Sequence, residues 1–222
     1  MNSIQYGNQN SFFFLKFVFF FALIVNGLLT HSSSTPEDLA TSEVRVWKAY
    51  YAQDTTEITA ALKGFLNSHY RTRDLSDKQI ESYATALLAF AKTDQQAPLE
   101  TYQETVFPLL QAAFHAIHTN STLFYVADAL ARAELAWWVE RRQLHATVES
   151  VAVLMEESYR VLYKGENSHY ERMCWFRASV ARYRDLCQDK FGGTTEDDWE
   201  AIQKMLVLGY QALPKLASPT NV

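Results

Sequence analysis

Hydrophobic residues recur along most of the chain at intervals of three and four, which is the spacing of one face of an α-helix. The segment 76–92 shows this pattern most clearly. Its apolar positions are Ile80, Tyr83, Ala84, Leu87, Leu88 and Ala91. No segment alternates apolar and polar residues as a strand would, and no convincing repeat of roughly 20–50 residues is present. The pattern therefore predicts an all-α fold.

Polar residues between these stripes supply helix starts and stops. Thr35 precedes a proline and two acids, a combination that suits the first turn of a helix. Two further caps are predicted: a capping box formed by Asp54 with Glu57, and Ser76. In "FGGTT" at 191–195, the glycines end one helix and the threonines begin the next. The predicted helices cover about 36–51, 54–69, 76–92, 99–118, 122–144, a segment that ends near 163, 167–189 and 195–213.

These helices predict a single domain over 35–216, an irregular bundle of seven or eight amphipathic helices preceded by a hydrophobic N-terminal helix. Pro108 lies inside the predicted fourth helix, where its ring and missing N–H predict a kink. Residues 1–34 form a separate segment with a short serine-rich linker, and 217–222 are predicted to be a disordered tail.

Residues 12–29, "FFFLKFVFFFALIVNGLL", are the only segment apolar enough to enter a membrane. About 17–25 apolar residues span the hydrocarbon core, so this segment predicts a single-pass anchor in the lipid bilayer. The alternative is a cleaved signal peptide with 17–25 as its apolar core, which would export the domain. Lys16 precedes the apolar core, whereas Glu37 and Asp38 follow it. The positive-inside tendency therefore predicts that the domain lies outside the cytoplasm.

The charge of the chain narrows its partners. The net charge is −5, and Lys16 is the only charged residue among the first 34, so the remainder carries 19 basic and 25 acidic residues. Nucleic-acid binding rests largely on neutralising phosphates, so an acidic domain without a basic run predicts no nucleic-acid partner. The chain has only 7 glycines and 5 prolines, which is few for a long β-protein and supports the helical prediction.

The stretch "ARAELAWWVERRQLH" places a carboxylate on an apolar helix face. At about 100° per residue, Glu134 shares a face with Trp137, Trp138 and Arg141, whereas Arg142 turns toward the edge of that face. No basic residue lies three or four positions from Glu134, so the helix itself offers no ion pair. A buried carboxylate without a partner is costly or becomes protonated. Glu134 is therefore predicted to meet a partner from another helix.

Two other predicted helices carry inward charges of matching kinds. In the first helix, Glu43 shares a face with Trp47 and Tyr50. In the seventh, Arg177 and Arg184 lie one heptad apart within an apolar stripe. We therefore predict a buried polar cluster in which the carboxylates of Glu43 and Glu134 meet the guanidinium groups of Arg177 and Arg184.

This cluster has two interpretations. It can be structural and hold the helices in register, or it can be a pocket in which arginine forks bind a carboxylate or phosphate ligand. The residues assigned to that pocket are Glu43, Trp47, Tyr50, Glu134, Trp137, Trp138, Arg177 and Arg184. A cavity that opens to solvent beside Glu134 favours a ligand role, whereas a cluster closed to solvent favours the structural role.

Metal-binding and catalytic motifs are weak in this chain. Di-iron bundles carry two Glu-x-x-His pairs, but only one such pair, Glu166 with His169, is present. His115 and His118 fall on the polar face of the predicted fourth helix, so we expect both to be solvated. The sequence lacks the common nucleotide-binding, hydrolase and metalloprotease motifs. We therefore predict neither a metal nor a cofactor.

The two cysteines, Cys174 and Cys187, fall within one predicted helix. Thirteen residues of helix separate their Cα atoms by about 20 Å, whereas a disulfide requires roughly 7 Å or less. We therefore expect both to be free, small buried residues.

Four segments together resemble a known family. They are "EVRVWKAYYAQD", "ARAELAWWVERR", "FRASVARYRDL" and "DDWEAIQKMLVLGYQAL". On these segments the chain is similar to bacterial membrane-anchored helical proteins that share WxAYY and ARxELAWW elements and have no assigned activity. The resemblance spans most of 36–216 and implies the anchor and the all-helical fold, but no chemistry. It also implies a serine where this chain has Gly209, a difference that we expect to have little effect.

The sequence therefore predicts a membrane-anchored, extracytoplasmic helical domain without enzymatic activity. It would bind a small ligand or a partner such as another membrane or envelope protein. The lack of a nucleophile–base pair or a metal constellation in the sequence favours this prediction. The alternative is an enzyme in which the Glu/Arg/Trp cluster serves as an acid or base.

Overall fold

Helices make up most of the part of the chain that the structure describes. This computed structural model describes residues 35–69, 75–119, 124–163 and 168–213, and it contains no β-strand within these ranges. In chain order the α-helices are α1 (Pro36–Ala52), α2 (Thr55–His69), α3 (Asp77–Lys92), α4 (Leu99–Thr105), α5 (Phe107–Ile117), α6 (Ala127–Arg142), α7 (Val148–Tyr163), α8 (Ser168–Phe191) and α9 (Glu196–Gln211), with a 3₁₀ turn (Phe124–Val126) before α6. The predicted all-α bundle is confirmed over these residues.

Three of the helices begin with complete capping boxes. In each, a serine or threonine side chain accepts a hydrogen bond from the N–H three residues later, and the side chain at that later position accepts one in return from the cap N–H. The cap residues are Thr35, Ser76 and Thr195, and their partners are Asp38, Gln79 and Asp198. These starts agree with the sequence prediction because capping depends on local chemistry.

The predicted fourth helix is divided into two helices, α4 and α5, on either side of Val106. Pro108 has no N–H to donate and its ring clashes with the preceding turn, so the helix breaks where only a kink was predicted. The Val106 N–H still donates to the Tyr102 carbonyl at 2.9 Å, which keeps the end of α4 attached to the start of α5.

The eight longer helices of the described region form four pairs that close into a ring. α1 packs against α2, α3 against α5, α6 against α7, and α8 against α9. Contacts of α2 with α3, α5 with α6 and α7 with α8 join the pairs, and α9 returns to pack against α1. The helices therefore follow a regular closed order, whereas the sequence predicted an irregular bundle.

The centre of the ring is lined mainly by one helix of each pair, namely α1, α3, α6 and α8, with a smaller contribution from α2. The four main helices run in the same direction. Contacts between α3 and α6 establish that direction. The Tyr83 hydroxyl donates to Glu134, and one heptad later Phe90 packs under Arg142. The corresponding pairs between α1 and α8 are Glu43 with Arg177 and Tyr51 with Arg184. The inner helices therefore present equivalent levels to the centre of the ring at intervals of seven or eight residues, which is about two helical turns.

Gly209 allows α9 to approach α8 closely. A Cβ atom at this position would lie only 2.9 Å from the Cβ of Phe176 on α8. The serine that the family resemblance implies would require Phe176 or the backbone to shift, which argues against the expectation that the difference has little effect. The close approach also brings the next residue, Tyr210, to the Glu43 carboxylate.

None of the helices within the described ranges is long and apolar enough to cross a membrane. The predicted anchor at 12–29 and the predicted tail at 217–222 lie outside the described residues. The side chains of the Glu-x-x-His pair at 166–169 are not described either. Their predicted roles therefore stay predictions.

Candidate functional site

The four inner helices surround a cavity of about 330 Å³, and all eight residues of the predicted pocket line it. The deep end, called the floor here, is formed by Glu43, Glu134 and Arg177, which are all buried. The other end, called the opening, is surrounded by exposed side chains that include Leu144 and Gln188. Residues at the opening lie about seven positions beyond those at the floor, which corresponds to roughly 10 Å along each helix.

A buried ion pair occupies the floor. Arg177 donates to Oε1 of Glu43 from Nη2 at 2.6 Å and from Nε at 2.9 Å. Tyr210 donates its hydroxyl hydrogen to Oε2 of the same carboxylate, and Arg177 Nη1 donates to the Tyr159 hydroxyl at 3.3 Å. Burying two charges is tolerable only when such additional hydrogen bonds are made. The predicted contact between Glu43 and Arg177 is confirmed.

Glu134 is buried on the cavity wall but takes part in no ion pair among the described side chains. Its Oε1 accepts a hydrogen bond from the Tyr83 hydroxyl at 3.1 Å. Burial raises the pKa of Glu134, and the opposing effects of the Arg177 charge and of nearby donors such as Trp137 are smaller. The predicted direct pairing of Glu134 with an arginine is therefore wrong, because Arg177 directs its donors to Glu43.

Arg184 lies at the opening rather than at the floor. It is one heptad beyond Arg177 on α8, too far along the helix to reach the buried glutamates. Its guanidinium carbon lies 3.1 Å from the centre of the Tyr51 ring, and its Nη1 is 3.7 Å from Oδ1 of Asp185. Nη2 donates to Oε1 of Gln188 at 3.2 Å. The predicted pairing of Arg184 with the two glutamates is therefore wrong, although the residue does line the same cavity.

A second charge pair joins α6 to α8 at the opening. Arg141 donates from Nε and Nη2 to the two carboxylate oxygens of Asp185, at 2.8 and 2.6 Å, and its Nη2 also donates to the Tyr51 hydroxyl. Such a bidentate pair fixes orientation as well as distance. The sequence placed Arg141 on the aromatic face but did not assign it to the site. Asp185 was missed because its partner lies 44 residues away in the chain.

Arg142 reaches over the cavity wall, although face geometry predicted that it turns toward the helix edge. Its guanidinium carbon lies 3.7 Å from the centre of the Phe90 ring. Nη1 donates to the Thr93 carbonyl and to the Tyr102 hydroxyl, both at 3.0 Å. The angular position of a Cα atom limits a long arginine side chain only weakly, so face arithmetic could not locate this guanidinium group.

Tryptophans form much of the wall between the floor and the opening. The rings of Trp137 and Trp138 are nearly perpendicular, with centres 6.1 Å apart. Arg177 lies over the Trp137 ring at 5.7 Å, and Arg141 lies over the Trp47 ring at 5.8 Å. Arginines of the chain therefore already contact two of the three tryptophan rings of the wall.

The two histidines of α5 and its C-terminal cap differ in burial. His115 is partly exposed and its Nε2 lies 2.7 Å from Oδ1 of Asp128. His118 is fully buried against Phe114, so the prediction that it is solvated is wrong. The reason is that α5 ends at Ile117 and the backbone of residue 118 is no longer helical, so helical face geometry does not apply there. Burial lowers the pKa of His118 to about 4.

Both cysteines lie on α8, and both are buried and free, as predicted. Burial raises the pKa of the Cys174 thiol to about 12, which argues against a reactive thiolate. Within the described ranges, no group of three or more His, Cys, Asp or Glu side chains is placed to hold a metal ion.

The chain matches no protein-family model, no curated protein and no solved structure. The resemblance to bacterial membrane-anchored proteins therefore stays a prediction.

Proposed function

We propose that the helical ring is a module that binds a small molecule in its central cavity. The observation that carries this proposal is a buried carboxylate, Glu134, on the wall of a cavity that is surrounded by exposed residues at one end. The volume of about 330 Å³ lies at the lower end of the roughly 300–1,000 Å³ typical of small-molecule sites. A bundle selected only for stability would fill this space with side chains, because protein interiors are densely packed.

A cavity-filling variant tests the proposal. Val46 is buried on the cavity wall, so Val46→Phe would occupy the space that a ligand needs. Val153 on α7 is 62% exposed, and Val153→Phe is the matched control for the added volume. We expect native mass spectrometry of the full chain, purified from the cells that produce it, to detect a retained small molecule in the parent and in Val153→Phe but not in Val46→Phe. A parent protein without any retained molecule, or equal retention in all three, would contradict the proposal.

A catalytic role for Glu134 is the second candidate, and it is favoured by the raised pKa of this carboxyl beside the cavity. A carboxyl that stays protonated above its usual pH range can donate a proton to a bound molecule. The test compares the retained molecule after incubation with the parent and with Glu134→Gln. A binding module leaves the molecule unchanged in both cases, whereas an enzyme converts it only when Glu134 is present.

We further propose that residues 12–29 anchor the domain at the outer face of a membrane, where another membrane or envelope protein would be its partner. The apolar length of the segment and the charges on its two flanks support this. In intact cells, added protease should cleave the domain, and carbonate washing should leave it with the membranes. A mature chain that begins after residue 29 and is recovered in the soluble fraction would instead indicate a cleaved signal peptide.

A further inference from the structure

Arginines dominate the charged groups at the opening of the cavity. The lining residues with charge at this end are Arg141, Arg142, Arg182, Arg184, Asp185 and Asp189. Arg141 and Asp185 neutralise each other through their bidentate pair. Among the described lining residues, the three other arginines are opposed by one exposed carboxylate, so the lining at the opening is positive although the whole chain has a charge of −5. A positive opening on an acidic protein attracts anions selectively.

Three guanidinium groups at the opening make no hydrogen bond to a carboxylate within the described part of the chain. Among the described atoms, Arg142 donates only to neutral oxygens, and Arg182 donates only to the Arg141 carbonyl, at 3.4 Å. Arg184 lies 3.7 Å from an oxygen of Asp185 that already accepts from Arg141 at 2.6 Å. The Nε of Arg184 is buried and has no hydrogen-bond partner among the described atoms. A ligand oxygen at this position would satisfy it.

The space below these arginines is walled mainly by aromatic rings. Trp47, Trp137 and Trp138 lie three or four residues beyond the floor, or roughly 5 Å along their helices. The ion pair of the floor satisfies its own charges, which leaves Glu134 as the polar group that faces the cavity there. An apolar body fits this middle layer, with a charged group directed toward the opening.

We infer that the ligand is an amphipathic organic anion whose oxyanion group meets Arg182 and Arg184 at the opening and whose apolar body lies between the tryptophans. This inference rests on the proposed function and names the chemical class that the same cavity would bind. Guanidinium groups pair well with oxyanions because their N–H donors form a planar fork.

A cationic ligand would suit the aromatic wall in principle, because ring faces attract cations. In this cavity, however, the chain's own arginines already cover those faces. Arg177 lies over Trp137, Arg184 over Tyr51 and Arg142 over Phe90. A bound ammonium group would meet these guanidinium groups at close range, and like charges repel. The arrangement therefore favours an anion.

Three probes of the same shape but different charge test this inference: 3-phenylpropionate, 3-phenylpropan-1-ol and 3-phenylpropylammonium. The full chain is held in phosphatidylcholine nanodiscs, with empty nanodiscs as the blank, and binding is followed by the fluorescence of the tryptophans in the wall. We expect the carboxylate to bind at least about tenfold more tightly than the alcohol, and the ammonium more weakly than either. Added salt should weaken only the carboxylate.

Arginine variants locate the charge that recognises the anion. Arg184→Gln should remove most of the preference for carboxylate over alcohol while the alcohol affinity stays within about twofold. Arg182→Gln should reduce the preference as well, and it serves alone if Arg184→Gln does not fold. Arg160→Gln, at an exposed position on α7, should leave the preference unchanged.

The possible outcomes separate this inference from the proposed function. If the alcohol binds as tightly as the carboxylate, or the ammonium binds most tightly, the anion inference is overturned and the binding module stands. An unchanged preference in both Arg182→Gln and Arg184→Gln overturns it too. If none of the three probes binds to the parent, or Val46→Phe binds them equally well, both the inference and the proposed function fail.

Discussion

Glu43 and Glu134 look alike in the sequence, since each shares a helix face with tryptophan, yet the fold gives them different surroundings. Glu43 accepts hydrogen bonds from Arg177 and Tyr210 on both carboxylate oxygens. Glu134 accepts one from Tyr83 and takes part in no ion pair within the described region. At the scale of single residues, the direction of one guanidinium group therefore decides which carboxylate gains an ion pair and which is left with a pKa raised by burial.

Breaking the buried ion pair should be costly. Glu43→Gln leaves the Arg177 charge buried without a partner, and we expect the free energy of unfolding to fall by roughly 3–5 kcal/mol. Glu200→Gln is the control, because Glu200 forms an exposed pair with Lys204 at 3.7 Å, which is worth less than about 1 kcal/mol. Urea unfolding followed by circular dichroism measures both values. Equal losses in the two variants would contradict the importance assigned to the buried pair.

Glu134→Gln should have the opposite effect at neutral pH. The pKa of Glu134 is raised above its usual 4.5 by folding, so the unfolded chain ionises first as the pH rises. The parent therefore loses stability as the pH rises from 4.5 through the folded-state pKa, and the variant does not share that loss. Thermal melts should find Glu134→Gln at least as stable as the parent at pH 7, with the advantage vanishing below pH 4.5. A variant that is less stable than the parent at pH 7 would argue against this account.

His118 should produce a pH dependence of the other sign. Its pKa falls from 6.5 to about 4 on folding, so the unfolded state binds the proton first as the pH falls. Burial of the neutral imidazole therefore contributes its full stabilisation above pH 6.5. This contribution to the free energy of unfolding, roughly 2–3 kcal/mol, is lost as the pH falls toward about 4. His118→Gln should lose less stability than the parent between pH 7 and pH 4.5 in urea titrations. Parallel pH profiles for the two proteins would contradict the assignment.

At the scale of helices, the site results from a spacing of seven residues that recurs on all four inner helices. Each inner helix carries a residue at the level of the floor and, seven positions later, a residue at the level of the opening. The pairs are Glu43 and Tyr50, Tyr83 and Phe90, Glu134 and Arg141, and Arg177 and Arg184. Seven residues are nearly two turns, so both members face the same way. Parallel helices with this spacing produce a layered cavity.

Close packing between α8 and α9 depends on Gly209. Gly209→Ser should lower the free energy of unfolding by roughly 1–3 kcal/mol, because the added Cβ would lie 2.9 Å from that of Phe176. Gly64→Ala in α2 is the matched control, because the nearest atom to its new Cβ is 3.9 Å away. That control should gain about 0.5–1 kcal/mol from better helix propensity. Denaturant unfolding measures the stability of both variants. A Gly209→Ser variant as stable as the parent would contradict the importance assigned to this close packing.

At the scale of the whole molecule, ring closure joins the first described helix to the last. Lys48 and Thr41 of α1 contact Glu196 and Gln203 of α9, and Tyr210 reaches Glu43 across the same interface. The cavity exists because this interface closes the circuit of helices. Binding should therefore depend on residues far apart in the chain, including the α1–α9 contact between Lys48 and Glu196, which are not among the residues that line the cavity.

The buried cysteines provide a test of how cooperatively the ring opens. Cys174 and Cys187 are both buried on α8, and the pKa of Cys174 is about 12. In the native protein, iodoacetamide should label both cysteines at the same slow rate. When labelling is faster than refolding, this rate equals the rate of global unfolding. Labelling followed by mass spectrometry measures the two rates. Much faster labelling of Cys187 alone would indicate local opening at the end of α8.

The sequence by itself determined the helical fold, most helix boundaries and the inward positions of Glu43, Glu134 and Arg177. These follow from local capping chemistry and from apolar spacing, which act over a few residues. The break at Pro108 exceeded the predicted kink, and His118 was misplaced, because each lies at a helix end where regular geometry fails.

Only the tertiary structure decided which charges meet. Arg177 could have paired with either glutamate, and Arg184 looked equivalent to it in the sequence. The choice depends on the direction and level of helices that are distant in the chain, and helix periodicity carries no information on either. The closed ring could not be predicted from the sequence for a related reason. The four helix pairs share no sequence repeat, and α4 is inserted between the two helices of one pair. Long-range packing therefore turned a list of inward residues into a cavity with a floor and an opening.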